Sequence, residues 1–220
     1  MSSERIIEND LDDSGSADTL IAGQVSEKAL LSTGIRVGTL VKTKDMSPFI
    51  SRTRPDGLHV IDTGKTLSRI ETAGRFLSRI SPKGIVAYSS RDYGKTPVEK
   101  FCELTETISI TGRFMPGTFT NPLYPGHFDP EIVIVSDPSM DSQAVTEATT
   151  IGIPVLAICD TDNVTSNIDY VIPANNRGRK ALAAVFWLLA RSTLINSGKL
   201  TTGSSMDYTI EDFETKILNL

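Results

Sequence analysis

At 220 residues, 39% of them hydrophobic, the chain can bury one sizeable core and is too short for two domains of ordinary size. Cys102 and Cys159 lie far apart with no CxxC, and His59 and His127 are the only histidines, so neither a disulfide framework nor a zinc site is expected; this points to an intracellular protein without a metal or cofactor. The net charge of −5 argues against nucleic acid only until its distribution is read: residues 1–18 hold six carboxylates and one arginine, 36–113 hold fourteen Lys and Arg against eight Asp and Glu, and 114–220 hold six against twelve.

The opening MSSERIIENDLDDSGS is acidic and polar, unlike a signal peptide, and has little to bury, so residues 1–19 read as an acidic disordered tail. A single domain is expected over 20–200, beginning with a short helix near 24–32. Residues 49–61 read FISRT, RPDG, LHVI: a small hairpin around a type I turn, carrying Arg52 and Arg54. A helix at about 64–80 follows, then GIVAYS (84–89), a helix at about 95–106 and ISITG (108–112). After an irregular stretch come EIVIVS (131–136), a helix at about 139–151, IPVLAIC (153–159), DYVIP (169–173) and a helix at about 177–196. Short Val- and Ile-rich runs alternating with helices predict an α/β fold: a three-layer α/β/α sandwich on a five-stranded parallel sheet. The longest apolar run, ALAAVFWLLA, is about half the length that spans a bilayer, so no membrane contact is expected. Residues 201–220 read as an acidic C-terminal tail or a loosely docked helix.

Two GKT triplets, DTGKT (62–66) and DYGKT (92–96), invite a phosphate-loop reading. Such a loop needs a glycine five residues upstream of the GK glycine; His59 and Ser89 stand there instead, leaving Lys65 and Lys95 as surface charges at helix starts. Asp137, Asp160 and Asp162 fall at C-terminal strand ends, where open α/β sheets bind ligands, and could serve a metal-dependent phosphatase. The competing reading makes Asp137 a helix cap ahead of Pro138, and Asp160 and Asp162 turn residues. No catalytic residue is assigned.

The helix at 64–80 places Arg69, Arg75 and Arg79 on one face and Leu67, Ile70, Ala73, Leu77 and Ile80 on the other, with Glu71 read as pointing away from the arginines. With Arg52 and Arg54 just upstream, this predicts phosphate contact. Arg177, Arg179 and Lys180 open the last helix, where cations oppose the macrodipole and an anionic partner would relieve them. The rest of that helix is apolar on nearly every side, which calls for a second covering element beyond the sheet. GRFMPGTFTNP (112–122), continued by LYPGHFDP, is proline-rich and nearly neutral: Phe114, Phe119, Tyr124 and Phe128 can pack on their own scaffold or against neighbours, with Arg113 and Asn121 as polar handles.

GRFMPGTFTNP, EIVIVSDPSMDSQAVTEATTIGIPVLAICDTDNVTSNIDYVIPANNRGRKA and the helix ending WLLAR, in this order, resemble the small-subunit ribosomal protein S-two family in its archaeal and eukaryotic, laminin-receptor-type branch. The likeness covers roughly 20–200. It implies a flavodoxin-like sandwich that acts as a structural constituent of the small ribosomal subunit, binds small-subunit ribosomal RNA and neighbouring ribosomal proteins in the cytoplasm, and has no enzymatic activity; outside the ribosome a monomer is expected. RNA contact is then expected from Arg52, Arg54, Arg69, Arg75, Arg79, Arg113, Arg177, Arg179 and Lys180, and contact with neighbouring proteins from Phe114, Phe119 and Asn121. An α/β phosphatase or nucleotide-binding enzyme and a protein-only adaptor are the alternatives.

Overall fold

The computed structural model describes residues 27–201, 204 and 206–216; the acidic segment 1–19 and the expected start of the first helix lie outside the described residues. Helix α1, Glu27–Ser32, is followed by an extended run in which Arg36 to Thr39 lines up beside the hairpin. The hairpin pairs β1, Ile50–Thr53, with β2, His59–Ile61, antiparallel, and the Gly57 N–H closes the expected turn on the Arg54 carbonyl at 2.9 Å.

Among the described residues five strands form the main sheet: β3 Ile85–Ser89, β4 Ile108–Thr111, β5 Ile132–Val135, β6 Val155–Cys159 and β7 Tyr170–Pro173. All are parallel, in the order β4-β3-β5-β6-β7, which is the flavodoxin-like winding. The period of two sends alternate side chains to opposite layers: Ile85, Ala87, Ile132 and Ile134 to one core, Val86, Tyr88, Val133 and Val135 to the other.

The first layer holds α2 Thr63–Leu77, α3 Asp92–Thr105 and α5 Arg179–Asn196. Asp62 caps α2 by accepting from the Gly64 and Lys65 N–H groups at 3.0 and 3.3 Å. Helix α5 is buried continuously from Ala181 to Leu194, and α2 approaches it so closely at Gly74 that a Cβ there would lie 2.2 Å from Ser192 Oγ. The second cover that α5 requires is the C-terminal segment. A short 3-10 helix, Ile210–Phe213, drives Phe213 into the core at 0% exposure, and Trp187 Nε1 donates to the Tyr208 carbonyl at 2.8 Å. Pro97 inside α3 deprives the Tyr93 carbonyl of its helical donor, and the Thr215 hydroxyl supplies one at 3.0 Å.

The opposite layer has one α-helix among the described residues, α4 Ser142–Ile151. The rest is covered by Met46 and by residues 112–131, which carry the chain from β4 across to β5 where a doubly wound fold ordinarily places a helix. Phe114 meets Tyr88 edge-on at 5.2 Å and Phe119 at 5.1 Å, so the irregular stretch does a helix's work with aromatic side chains.

Candidate nucleic-acid interface

In a sheet of this order the crevice for a ligand lies beyond the C-terminal ends of β3 and β5. Here the chain's own side chains occupy it. The Arg91 guanidinium donates to Asp137 through Nε at 2.8 Å and through Nη2. Asp141 accepts from Ser90 N–H and hydroxyl, Ser136 hydroxyl and Asp137 N–H at 2.5–3.1 Å. Asp137 is therefore not the cap of the next helix. Its carboxylate is held by Arg91, the Ser139 N–H and Asn163 Nδ2, and α4 starts later, at Ser142, with Asp141 in the cap position.

Asp160 keeps its turn role: it accepts from Thr161 N–H at 2.6 Å, its own N–H donates to Asn163 Oδ1 at 2.6 Å, and burial pushes its pKa up to about 6. Asp162 instead pairs with Arg177. At the second GKT triplet a Cβ on Gly94 would lie 2.1 Å from Ser89 Oγ, so α3 sits hard on the strand end. Lys95 pairs with Asp92 at 2.7 Å, and Lys65 Nζ donates to the Pro48 carbonyl at 2.6 Å.

The expected RNA-binding cations divide into two groups. Arg69 is half-buried, its guanidinium over the Phe49 and Tyr170 rings at 5.4 and 5.0 Å. Arg75 donates to Glu71 at 2.8 Å, which corrects the view of an uncompensated arginine face: residues four apart stand one turn above each other, only about 40° around the axis. Arg54 lies 3.6 Å from Asp56, Arg177 is bound to Asp162, and Arg179 Nε lies 2.6 Å from Glu214. Burial opposes the Arg177 charge, but the hydrogen bond and attraction from Asp162 outweigh it and raise the pKa.

Arg52, Arg79, Arg113 and Lys180 are exposed, and their side chains have no ion-pair or hydrogen-bond partner among the described residues. Lys42 and Lys44, which sequence reading passed over, share that condition. They lie on an aperiodic run, VKTK, pinned to the strand ends by the Thr43 N–H on the Thr161 carbonyl at 2.9 Å. Lysines two apart in a stretch with no helical or strand period were the only available signal. The free cations do not form one arginine-faced helix. Arg52 is on the hairpin, Lys42 and Lys44 beside the strand ends, Lys180 at the start of α5, and Arg79 just past the far end of α2.

In the loop, Phe114 and Phe119 are 6% and 2% exposed in the chain's own core, so they offer no surface to a neighbour, while Asn121 is exposed. Glu147 on α4 anchors the loop by accepting from Gly117 N–H, Phe119 N–H and Thr120 Oγ1 at 2.8, 3.1 and 3.4 Å. Burial opposes its charge, yet these bonds and one from Gln143 hold its pKa below the usual glutamate value. The large apolar side chains the loop does present are Met115 and, at 92% exposure, Leu123.

A model of the family described as ribosomal protein S2 matches residues 30–123 and 126–195. The chain is 54% identical over 191 residues to the small ribosomal subunit protein uS2 of Nitrosopumilus maritimus, an alignment covering 87% of this chain and 92% of that protein. It is 47% identical over 201 residues to the uS2 protein of Thermofilum pendens (90% and 94% covered). To that of Thermoplasma volcanium it is 45% identical over 193 residues (88% and 97% covered).

Proposed function

The chain belongs to the ribosomal protein S2 family, in its archaeal type, and we infer from that membership that it is a structural constituent of the small ribosomal subunit. The observation that carries this is the family match through both layers of the sandwich, from α1 to the end of α5. Its work is to be held between ribosomal RNA and neighbouring ribosomal proteins in the cytoplasm, as a monomer until it is incorporated, and without a reaction of its own. No helix among the described residues is long and apolar enough to cross a membrane.

RNA contact is proposed at six of the exposed cations that the fold leaves without a carboxylate partner: Arg52, Arg79, Arg113 and Lys180, joined by Lys42 and Lys44. A cation already engaged by a carboxylate must give up that partner to take a phosphate, so Arg54, Arg75, Arg177 and Arg179 contribute less. Protein neighbours are proposed at the loop tip around Asn121 and Leu123, where a neutral, apolar surface suits a protein better than a phosphate backbone. The Arg91–Asp137 pair argues against a phosphatase built on Asp137, because its carboxylate is already neutralised.

The test is sedimentation of the cellular protein with small subunits in low and high salt. A constituent pellets with the subunit at low salt. An enzyme or a free adaptor stays in the supernatant at every salt concentration, and that result would overturn the assignment. With isolated small-subunit RNA, affinity should fall linearly with salt on a log–log plot, by somewhat under one unit of slope for each phosphate contact.

A further inference from the structure

Helix α2 exposes one large apolar side chain on the face that also carries its arginines. Phe76 is 45% exposed, whereas every other phenylalanine of the chain is buried or half-buried. At about 100° per residue, Phe76 falls between Arg69 and Arg79 around the helix axis. The Arg79 N–H donates to the Phe76 carbonyl at 3.2 Å, a three-residue closure that sets the two side chains above one another at the end of the helix. Arg79 and Lys83 are exposed, and their side chains have no ion-pair or hydrogen-bond partner among the described residues. From Thr72 to Arg91 the chain holds four cations and no carboxylate, and Glu71, just upstream, is taken by Arg75 at 2.8 Å. The fold also brings Glu131 against Gly84, one residue beyond Lys83, where it forms no ion pair among the described residues. No cation or second ring covers Phe76 among the described residues, the Arg69 guanidinium being committed to Phe49 and Tyr170.

An apolar protein surface buries several neighbouring apolar side chains at once, and an isolated ring fringed by free cations does not offer that. Along the chain, the nearest large apolar residues exposed to solvent are Val41 and Tyr93. The arrangement suits RNA, whose bases present a flat face and whose phosphates recur at every nucleotide. We propose that Phe76 is a stacking platform for one unpaired base of the ribosomal RNA, with Arg79 and Lys83 on the flanking phosphates. A base inside a duplex has both faces covered by its neighbours, so this nucleotide lies in a loop, a bulge or at a strand end. The proposal rests on the reading of the chain as an RNA-bound constituent of the small subunit, and adds to the phosphate contacts one that no charge supplies.

Salt titration of the full-length chain against isolated small-subunit RNA separates the two kinds of contact, because stacking on a neutral ring releases no counterions. Phe76→Leu, which keeps an apolar side chain but no flat face, should weaken binding by at least about fivefold at every salt concentration, with the log–log slope unchanged. Its melt should match the parent's, since the ring stands outside the core. Phe76→Trp should bind at least as tightly, and the fluorescence of the introduced indole should be quenched at saturating RNA, against the constant background of the buried Trp187. The proposal is overturned if Phe76→Leu binds as the parent does, or if the introduced indole stays unquenched at saturation. Should Arg79→Gln still flatten the slope in that case, the RNA reading stands without the stacked base. A parent chain that does not bind the RNA at all would overturn both.

Discussion

The Phe119 ring meets the edge of Phe114 at 5.1 Å, both of them buried beneath a loop with no regular secondary structure. This contact explains why residues 112–131 are rich in proline and aromatics. A crossover without a helix must cover the sheet with side chains hung on a backbone stiff enough to hold them, and Glu147 satisfies the Gly117 and Phe119 N–H groups that a helix would have paired internally.

Phe119→Ala should therefore cost about 3–5 kcal/mol of stability, as large-to-small changes at fully buried aromatics do. Leu123→Ala, four residues away and 92% exposed, should stay within about 0.5 kcal/mol. Urea titrations with unchanged slope would show the contrast as a shift in midpoint for the first variant alone.

The C-terminal segment behaves as part of the core. Phe213→Ala should lower stability by about 3–5 kcal/mol. Thr215→Val removes only the donor to the Tyr93 carbonyl and should cost about 1 kcal/mol. Thermal melts and amide exchange in α3 and α5 check both; a melting temperature unmoved by Phe213→Ala would show that α5 is covered some other way.

Asp160 sets a pH dependence of definite sign. Burial raises its pKa to about 6, above the ordinary carboxylate value, so the folded state holds this proton more tightly than the unfolded chain. The resulting stabilisation is fully present below about pH 3.9 and is lost as pH rises through about 6. Asp160→Asn, which keeps an oxygen for the Thr161 N–H, should thus gain on the parent as pH goes from 4 to 8, by on the order of 2–3 kcal/mol. A stability difference that is flat over that range in chemical denaturation would contradict the buried carboxylate.

Arg69 and Arg79 should separate structural from binding arginines. Arg69→Gln loses two ring contacts and should cost about 1 kcal/mol of stability, with little effect on the salt dependence of RNA affinity. Arg79→Gln should do the reverse, leaving the melt unchanged and flattening the log–log salt slope by somewhat under one unit. Lys199, paired with Glu106 at 2.9 Å, is the control, and Lys199→Gln should leave the salt slope unchanged.

The sheet could be read from the chain because parallel strands buried on both faces appear as unbroken Val and Ile runs; EIVIVS and IPVLAIC needed no long-range information to become β5 and β6. The hairpin turn and the burial of α5 were legible for the same reason, since each follows from residue types a few positions apart. The destiny of individual charges was not. Whether Arg179 faces solvent or Glu214, and Arg177 a phosphate or Asp162, depends on which segments the fold brings within 4 Å, and no period in the sequence records that. The cover over α5 was foreseen as a need but not located. Phe213 stands in an acidic run whose local pattern says tail, and only the groove between α3 and α5, assembled from residues more than 100 positions upstream and about 20 upstream, gives that ring a place to be buried.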